Sequence, residues 1–302
     1  MKITFGIIVF NGDFFLKQVL ESIAPFAHKI CIAEGPVKYW QDKGYTKSTD
    51  DTNNIITDFF GCSNNINMSV IHSQYNEKND QCQAWFGMVP DDTDYVICVD
   101  ADEVHRPEHL EALIKFLEKE KPTSVGFKSD SFYGGFDRII GGFERDHSFK
   151  RVLKYEKGCY YRTHRQPTLA IVHDGMGSID IAGKDITGNQ LYQATGITMP
   201  HYSYVAPKGV FEKLQYYEDA IISKGNCIPN YFNDVFVPWV QGNAGDRAII
   251  EGRWKGVQEF MPKARGEAYT ELFTGNHPEI ILRDMGQLKQ KFNEQLQKYS
   301  KA

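Results

Sequence analysis

The sequence lacks the features of a disulfide-stabilised or membrane-spanning protein. It contains six cysteines, and no two of them form a CxxC pair. Most of these cysteines lie within apolar runs, which is typical of buried thiols in a reducing compartment. No apolar run approaches the roughly 20 residues of a transmembrane helix, and Met1-Lys2 leads straight into a strand pattern without a signal-peptide core. We therefore expect a soluble, cytoplasmic protein without a transmembrane segment.

The chain also lacks a basic character. Its net charge is -5, so no overall positive field attracts nucleic acid or anionic lipid. Hydrophobic residues make up 41% of the 302 positions, which is enough for a sizeable core in one large domain or in a domain with an appendage. The composition therefore indicates a globular protein whose partners are not selected by overall charge.

Hydrophobic periodicity in the first half predicts strands that alternate with helices. The predicted strands cover residues 3–10, 29–33, 68–72 and a run from residue 95, and the predicted helices cover residues 14–26, 52–61, 78–89 and 107–121. A capping box at residues 48–51 is expected to begin the second helix. This alternation implies an α/β fold with a mostly parallel, doubly wound sheet, whose ligands lie beyond the carboxyl ends of the strands.

The pattern changes after residue 124 to short strands and glycine-rich turns, which predict a small antiparallel extension. Strands are expected at residues 125–131, 149–155 and 168–173. From residue 207 the chain is helical again, and its last helix has an apolar stripe that predicts a docking face, either onto the domain or onto a second subunit in a homodimer. The stripe consists of Leu282, Met285, Leu288, Phe292, Leu296 and Tyr299. We divide the chain into a catalytic domain, residues 1–205, and a helical extension on the acceptor side or at an oligomer contact, residues 206–302.

An apolar strand ends abruptly in acidic residues in the sequence YVICVDADE, residues 95–103. Asp100, Asp102 and Glu103 repel one another and stay ionised only if a cation neutralises them. Carboxylates at positions i and i+2 around a small residue can share a hard divalent ion and the phosphates that it carries. The plain alternative is a strand followed by an acidic helix start, because Pro107 begins a helix soon afterwards.

Four segments in a fixed order resemble the inverting family 2 glycosyltransferases with a GT-A fold. They are FGIIVFNGDFFLKQVLESI (residues 5–23), AEG (33–35) before STDDT (48–52), NDQCQAWFG (79–87) and VDADE (99–103). Two later segments, IVHDG (171–175) and PHYSYV (200–205), are similar to the VHE and HYS elements of lipopolysaccharide-core sugar transferases that carry DADE. The resemblance covers about residues 1–220. It implies transfer of a sugar from a nucleotide-diphosphate donor, with a UDP-sugar favoured, to a hydroxyl of a glycan or other acceptor.

The sequence departs from the family pattern at two points. The second-strand tip is Glu34-Gly35 followed by an insertion, residues 36–47, where the family has an aspartate in a DGSTD run. Asp174 stands where the family has the glutamate of VHE. These departures bear on recognition of the base and on the reach of the catalytic carboxylate.

The resemblance assigns a divalent ion, Mn²⁺ or Mg²⁺, to the strand-tip carboxylates. Such an ion neutralises the leaving pyrophosphate as a Lewis acid. Asp102 is the predicted ligand, and Asp100 is expected to face the ribose or the water shell of the ion. His201, within the HYS-like segment, is a second predicted ligand, because a neutral imidazole suits Mn²⁺ better than Mg²⁺. The alternative for His201 is a histidine enclosed by neighbouring tyrosines.

Donor contacts are predicted from residues at the same edge of the sheet. Asn11 and Glu34 follow the first two strands and are expected to contact the base and ribose, although both also suit plain turn positions. Lys78, Asn79 and Asp80 begin the third helix, whose amino terminus favours anionic groups. Asn79 or Asp80 can instead act as an N-cap, and we expect one of these residues to cap and another to contact the donor.

Inversion requires a base that deprotonates the acceptor hydroxyl. Asp174 is the predicted base, because it follows a strand, matches the VHE position and precedes Gly175. Glu103, Glu144 and Asp146 are its rivals. A basic cluster is expected either to meet the pyrophosphate or an anionic acceptor or to be solvated; it consists of Arg145, Lys150, Arg151, Arg162 and Arg165.

Two other functions fit the same fold. A nucleotidyltransferase also uses strand-tip carboxylates, but its glycine-rich basic loop is absent from the Asn11-Gly12-Asp13 turn. A non-catalytic sugar-binding protein is expected to lose the carboxylates, which are intact here. We therefore predict a glycosyltransferase and keep these two as alternatives.

Overall fold

A computed structural model describes residues 1–62, 66–173, 177–219 and 225–300 of the chain. The chain divides into two compact units, each formed from two stretches. The first unit comprises residues 1–128 and 148–199, and the second comprises residues 129–147 and 200–302. The functional division predicted at residue 205 stays a prediction.

The strands and helices are named here in chain order. The strands are β1 (Ile3–Val9), β2 (Lys29–Glu34), β3 (Met68–His72), β4 (Tyr95–Asp100), β5 (Ser124–Phe127), β6 (Ser129–Tyr133), β7 (Arg138–Ile140), β8 (Phe149–Lys154), β9 (Tyr160–Thr163), β10 (Thr168–His173), β11 (Gly177–Asp180), β12 (Asp185–Ile186), β13 (Met199–Tyr204) and β14 (Thr270–Leu272). The α-helices are α1 (Leu16–Ile23), α2 (Lys38–Gln41), α3 (Thr52–Cys62), α4 (Lys78–Phe86), α5 (Pro107–Glu120), α6 (Phe143–Asp146), α7 (Gly188–Thr195), α8 (Pro207–Asp219), α9 (Val237–Gln241), α10 (Ala244–Trp254), α11 (Pro262–Arg265) and α12 (Glu279–Tyr299). A 3₁₀ turn covers Ala24–Phe26, and a π-helical turn covers Phe232–Phe236.

The first unit is built on a seven-stranded sheet with the strand order β12-β5-β8-β4-β1-β2-β3. Strands β3, β2, β1 and β4 run parallel to one another, and β8 pairs antiparallel with both β4 and β5. A small antiparallel sheet, β11-β10-β9, belongs to the same unit. The predicted fold class, a mostly parallel α/β sheet with an antiparallel extension and a helical C-terminal region, is confirmed.

A glycine in the central strand β1 sets the position of α4. Gly6 lies against the indole of Trp85, and a Cβ at this glycine would be 2.3 Å from a ring carbon. The buried Trp85 ring also packs against Tyr161 of β9, with ring centroids 5.5 Å apart. Because α4 follows β3 and packs closely on β1, its first residue, Lys78, lies at the carboxyl edge of the sheet.

The strand predicted at residues 125–131 is wrong in its extent. The structure has two strands there, β5 and β6, which end and begin on either side of Lys128 and belong to different sheets. Both strands are buried along their whole length, and β6 buries the polar side chains of Ser129, Asp130 and Ser131. Since neither strand alternates buried with exposed residues, their junction leaves no mark in the hydrophobic pattern.

The second unit contains a four-stranded sheet, β13-β6-β7-β14, and the C-terminal helices. Tyr133 and Trp239 are fully buried in its core, with ring centroids 4.8 Å apart. The last helix, α12, buries Leu288 and Phe292, and its Tyr299 ring lies 5.4 Å from that of Phe211 in α8. The apolar stripe predicted at this helix therefore docks onto its own unit.

Within the ranges that the structure describes, no helix combines the length and the apolar character needed to cross a membrane.

Candidate active site

The parallel strands of the first unit bring three predicted donor-site residues to one edge of the sheet. Val9 pairs with Glu34 across β1 and β2, and Ile8 pairs with Asp100 across β1 and β4. Asn11 follows β1 after one intervening residue, so it lies at the same edge of the sheet as Glu34 and Asp100. The carboxyl ends of parallel strands are the usual place for ligands in such sheets.

Two of the strand-tip carboxylates form ion pairs with an arginine that no sequence motif marks. Arg151 of β8 donates from Nη2 to Asp100 Oδ2 at 2.5 Å and from Nε to both oxygens of Glu103 at 3.0 and 3.1 Å. Arg151 Nη2 also bonds Glu103 Oε1, and the Asp100 amide donates to Glu103 Oε2 at 3.1 Å. We call these three residues the Arg151 triad. It supplies the cation that the clustered carboxylates require.

Burial differs sharply within the Arg151 triad. The Glu103 side chain is 0% exposed and that of Arg151 is 13% exposed, whereas 44% of the Asp100 side chain is exposed. Burial opposes the charge of Arg151, but the carboxylates of Asp100 and Glu103 raise its pKa above the ordinary value. The triad is therefore anchored in the protein and presents one carboxylate at the surface.

Asp102 lies half-buried in the turn directly after β4. Carboxylate oxygens are the hard ligands that Mg²⁺ and Mn²⁺ prefer, so the donor set at this turn fits a divalent ion. Asp100 contacts Arg151 through Oδ2, and 44% of its side chain is exposed.

Asn11 and Glu34 bind the chain that returns after the insertion. Asn11 adopts a positive φ of 53°, donates its amide to Ser48 Oγ at 2.9 Å and accepts the Thr49 amide on Oδ1 at 2.9 Å. The buried Glu34 accepts the Ser48 amide on Oε1 at 3.0 Å and contacts His72 Nδ1 through Oε2 at 3.0 Å. Both predicted donor residues thus fix the turn at the sheet edge.

The capping box predicted at residues 48–51 is wrong in one respect. Ser48 uses its hydroxyl at the sheet edge, as described above, and does not cap α3. Asp50 accepts the Thr52 amide on Oδ1 at 3.1 Å and the Thr52 hydroxyl at 2.6 Å, which orders the first residue of the helix.

The insertion at residues 36–47 places aromatic rings beside the first strand. The Phe10 ring centroid lies 5.9 Å from that of Trp40 and 5.6 Å from that of Tyr45, and the Tyr45 ring is edge-on. All three side chains are half-buried. They offer an apolar wall next to Asn11 that suits a planar ring.

The amino terminus of α4 separates the roles that the sequence left open. Glu77 and Asp80 form the capping box, in which Asp80 Oδ2 accepts the Glu77 amide at 3.3 Å. Asp80 is therefore the capping residue of the predicted pair. Asn79 Oδ1 is buried and has no hydrogen-bond partner among the described residues. Lys78 is the first residue of the helix.

His164, in the turn after β9, was not predicted as a site residue. Burial, followed by the charges of Lys78 and Arg165, lowers its pKa to about 4, and Asp100 opposes this shift. Its Nδ1 is buried without a hydrogen-bond partner in the part of the chain that the structure describes. The residue is therefore a neutral imidazole near the strand tip, and no sequence motif marked it.

The candidate bases have different surroundings. Asp174 lies outside the described residues, so its role stays a prediction. Glu103 is enclosed in the Arg151 triad, and Glu144 of the second unit accepts Ser131 Oγ at 3.0 Å and Gln258 Nε2 at 2.7 Å. Neither of these two buried carboxylates is accessible to an acceptor hydroxyl. Asp146, at the end of α6, is exposed.

His201 is a buried residue of β13 in the second unit. Its assignment as a metal ligand stays a prediction.

The family model described as Glycosyl transferase family 2 matches residues 46–177 of this chain. This match supports the predicted glycosyltransferase, whose activity stays a proposal. The matched segment contains the turn after β4 and the Arg151 triad, whereas Asn11, Glu34 and His201 lie outside it. Family 2 is thereby supported, and membership of the lipopolysaccharide-core branch stays a prediction.

Solved structures with related folds are only distantly similar. S. aureus TarS, residues 1–349, is 10% identical over 73% of this chain and 66% of its own, with a TM-score of 0.42. The glucosyl-3-phosphoglycerate synthase of Mycobacterium tuberculosis, in complex with Mn²⁺ and UDP-glucose, is 16% identical over 44% of this chain and 43% of its own, with a TM-score of 0.30. This chain therefore spans less than two thirds of either protein. At these TM-scores the likenesses support no argument about function, and no curated protein sequence matches the chain.

Proposed function

We propose that this protein is a metal-dependent, inverting glycosyltransferase that uses a nucleotide-diphosphate sugar, with a UDP-sugar favoured. The acceptor is a hydroxyl of a glycan or another molecule, and the lipopolysaccharide-core branch is the proposed subfamily. The observation that carries the proposal is the pair Asp100 and Asp102 at the carboxyl edge of a parallel sheet, within the segment matched by the family model. Carboxylates at this edge suit the binding of a diphosphate through a divalent ion.

In this proposal Asp102 is the carboxylate ligand of Mn²⁺ or Mg²⁺, and His201 is a further ligand assigned from the resemblance. When bound, the ion supplies Lewis-acid stabilisation of the leaving diphosphate. Asp100 would contact the ribose or the water shell of the ion. The partial exposure of the Asp100 side chain and the half-buried position of Asp102 support this division of roles.

Donor recognition is assigned to the sheet edge and to the start of α4. Asn11 and Glu34 act mainly by holding the Ser48 turn in place, which supports contacts of this turn with the base and ribose. Lys78 contributes a positive charge at the amino terminus of α4, and helix amino termini favour anionic groups. Asn79 contributes a buried amide oxygen, which is a hydrogen-bond acceptor.

A nucleotide-sugar hydrolysis screen with Mn²⁺ and with EDTA tests the proposal, because slow donor hydrolysis reports the donor without an acceptor. We expect hydrolysis of a UDP-sugar in Mn²⁺ and its loss in EDTA. Asp58→Asn is the matched control for Asp102→Asn in this screen, because Asp58 is an exposed aspartate of α3 with no role in the proposal. Hydrolysis that is equal in Mn²⁺ and EDTA would contradict metal dependence, and no turnover of any nucleotide sugar would contradict the assigned donor class.

Asp174 is the proposed general base, because it follows β10 at the position that matches VHE. A base acts on the acceptor in the transition state, so Asp174→Asn should keep donor affinity and lower turnover by about 10²- to 10⁴-fold. Glu103→Gln, Glu144→Gln and Asp146→Asn are compared in the same assay. Asp174 is not the base if its variant transfers sugar at a near wild-type rate while one of the others binds donor and fails to turn over.

The oligomeric state and the cytoplasmic location also belong to the proposal. The stripe of α12 packs within its own unit, and only its first member, Leu282, is largely exposed. A homodimer through α12 would therefore have to use the exposed surface of this helix, which includes Leu282. Light scattering on the wild-type protein and on Leu282→Glu tests that contact.

A further inference from the structure

A buried acid holds an exposed histidine at the carboxyl edge of the parallel sheet. Glu34 and His72 end β2 and β3 and pair across these two strands. The Glu34 side chain is 1% exposed, whereas that of His72 is 56% exposed. Glu34 Oε2 lies 3.0 Å from His72 Nδ1, and Glu34 Oε1 accepts the Ser48 amide at 3.0 Å. The carboxylate is therefore enclosed by protein groups, and the imidazole is the member of this pair that a ligand can reach.

The hydrogen bond to Glu34 sets which nitrogen of His72 carries the proton. A carboxylate only accepts hydrogen bonds, so Nδ1 of His72 donates to Glu34 Oε2. In the neutral imidazole Nε2 is then a hydrogen-bond acceptor, because the proton lies on the other nitrogen. A side chain that is more than half exposed thus carries an acceptor of fixed identity at the edge of the sheet where ligands bind.

The chain that follows His72 is tied to the insertion that carries Trp40. The Tyr75 amide donates to the Pro36 carbonyl at 3.0 Å. Gln41 Nε2 donates to the carbonyls of Pro36 and Tyr75 at 3.0 and 2.7 Å. Trp40 belongs to the apolar wall beside the first strand that suits a planar ring. The imidazole and this wall are therefore borne by two backbone segments that are hydrogen-bonded to each other.

We propose that His72 recognises the nucleobase of the donor, with Nε2 accepting a hydrogen bond from a ring N–H such as N3–H of uracil. This contact rests on the proposed function, and it restricts the donor to bases that carry a proton at this position. Cytosine has an unprotonated N3, whose lone pair would face that of Nε2. Glu34 is a positioning residue that acts through His72, because it fixes the tautomer of the imidazole.

UDP and N3-methyl-UDP differ only at the proposed contact, because methylation removes the N3 proton. We expect the wild type to bind UDP at least about tenfold more tightly than N3-methyl-UDP in Mn²⁺, since the analogue leaves Nε2 without its donor. His72→Ala should bind UDP about fivefold more weakly than the wild type. Its preference for UDP over N3-methyl-UDP should fall below about threefold. Isothermal titration calorimetry on the full-length protein measures these four affinities.

Glu34→Gln tests the tautomer with His72 in place. An amide can donate to Nδ1, which moves the imidazole proton to Nε2 and turns this acceptor into a donor. We expect the variant to bind UDP more weakly and CDP more tightly than the wild type does, because N3 of cytosine is an acceptor. A purely structural role of Glu34 would weaken both nucleotides together, and that result would overturn its assignment as a positioning residue.

His28→Ala is the matched control for His72→Ala. His28 Nε2 also contacts a carboxylate, Asp92 Oδ1, at 3.0 Å, but His28 precedes β2 and so lies at the opposite edge of the sheet. Its preference for UDP over N3-methyl-UDP should equal that of the wild type. An unchanged preference in His72→Ala would overturn the inference, whereas Mn²⁺-dependent hydrolysis of a UDP-sugar would still support the proposed function. A wild type that binds neither nucleotide would contradict the donor class on which both depend.

Discussion

Acidic residues have opposite surroundings in the two units. At the sheet edge of the first unit, Asp100 and Asp102 are partly exposed, and the partner of Asp100 is a charged guanidinium. In the second unit Glu144, Glu251 and Glu259 are buried. Most of their partners are neutral hydroxyl, amide and indole groups.

Glu251 illustrates the second type. Its Oε1 accepts Trp239 Nε1 at 2.8 Å and the Thr270 hydroxyl at 2.7 Å, and its Oε2 accepts the Thr270 amide at 2.9 Å. Every donor belongs to the protein, so the carboxylate ties α9, α10 and β14 together and has little capacity left for a ligand. Under the proposed function, exposure and the charge of the partner therefore separate the carboxylates that take part in chemistry from those that stabilise the fold.

Asp102→Asn gives the largest expected effect on the chemical side of this comparison. If Asp102 holds the proposed ion, its loss should lower metal-dependent donor hydrolysis by about 10³-fold, or about 4 kcal/mol, because the ion would no longer stabilise the leaving diphosphate. The free energy of unfolding should stay within about 0.5 kcal/mol of the wild type, since the residue lies in a half-buried turn. Initial rates of donor hydrolysis measure the loss of activity, and urea unfolding measures the free energy of unfolding. An active but strongly destabilised variant would place Asp102 with the structural acids.

Glu251→Ala should give the largest effect on the fold. Three buried donors lose their acceptor, which should lower the free energy of unfolding by about 3 kcal/mol. Glu267→Ala is the control, because Glu267 is an exposed acid of the same unit paired with Lys255 at 3.3 Å. Urea unfolding of both variants is the measurement. A Glu251→Ala protein as stable as the Glu267→Ala protein would contradict the structural role of Glu251.

His105 extends the comparison to a buried base in the first unit. Burial, then the charges of Arg151 and His109, lower its pKa from 6.5 to about 3. The unfolded chain therefore binds a proton that the folded chain does not, and stability is lost as the pH falls from 6.5 toward 3. Between pH 7 and pH 4.5 this histidine should cost about 2 kcal/mol of unfolding free energy.

His105→Gln tests that value, because glutamine is polar and does not titrate. The difference in unfolding free energy between pH 7 and pH 4.5 should be smaller in the variant than in the wild type by this amount. Identical pH dependence in the two proteins would assign the acid sensitivity to other groups.

The sequence predicts the parts of the site that depend on local pattern. The apolar run before Asp100 predicts a central strand, and parallel pairing then brings Asn11 and Glu34 to the same edge, as observed. The Arg151 triad depends on antiparallel pairing of β8 with β4, which joins residues 51 positions apart. Charge composition alone could not select Arg151 from the basic cluster.

Other parts of the fold leave no local signal. The three donors of Glu251 come from two residues, Trp239 of α9 and Thr270 of β14, and nothing in the spacing of these residues indicates that they converge. Asp80 was recognised as a candidate cap because capping is a short-range interaction. His164 acquires its low pKa from burial, which its own neighbours in the sequence do not predict.

Arg162→Gln is the smallest expected effect and sharpens the contrast with Arg151 within one basic cluster. Arg162 forms an ion pair with Asp180 across the small sheet, but the two side chains are 47% and 50% exposed. Solvent screens such a pair, so the free energy of unfolding should change by less than about 0.5 kcal/mol, and 0.5 M NaCl should remove most of that change. Urea unfolding at low and high salt measures it. Arg151→Gln in the same experiment should lose several-fold more stability, because its removal leaves the buried Glu103 without a counter-charge. Equal effects from the two arginines would mean that burial of the partner carboxylate does not decide the strength of these pairs.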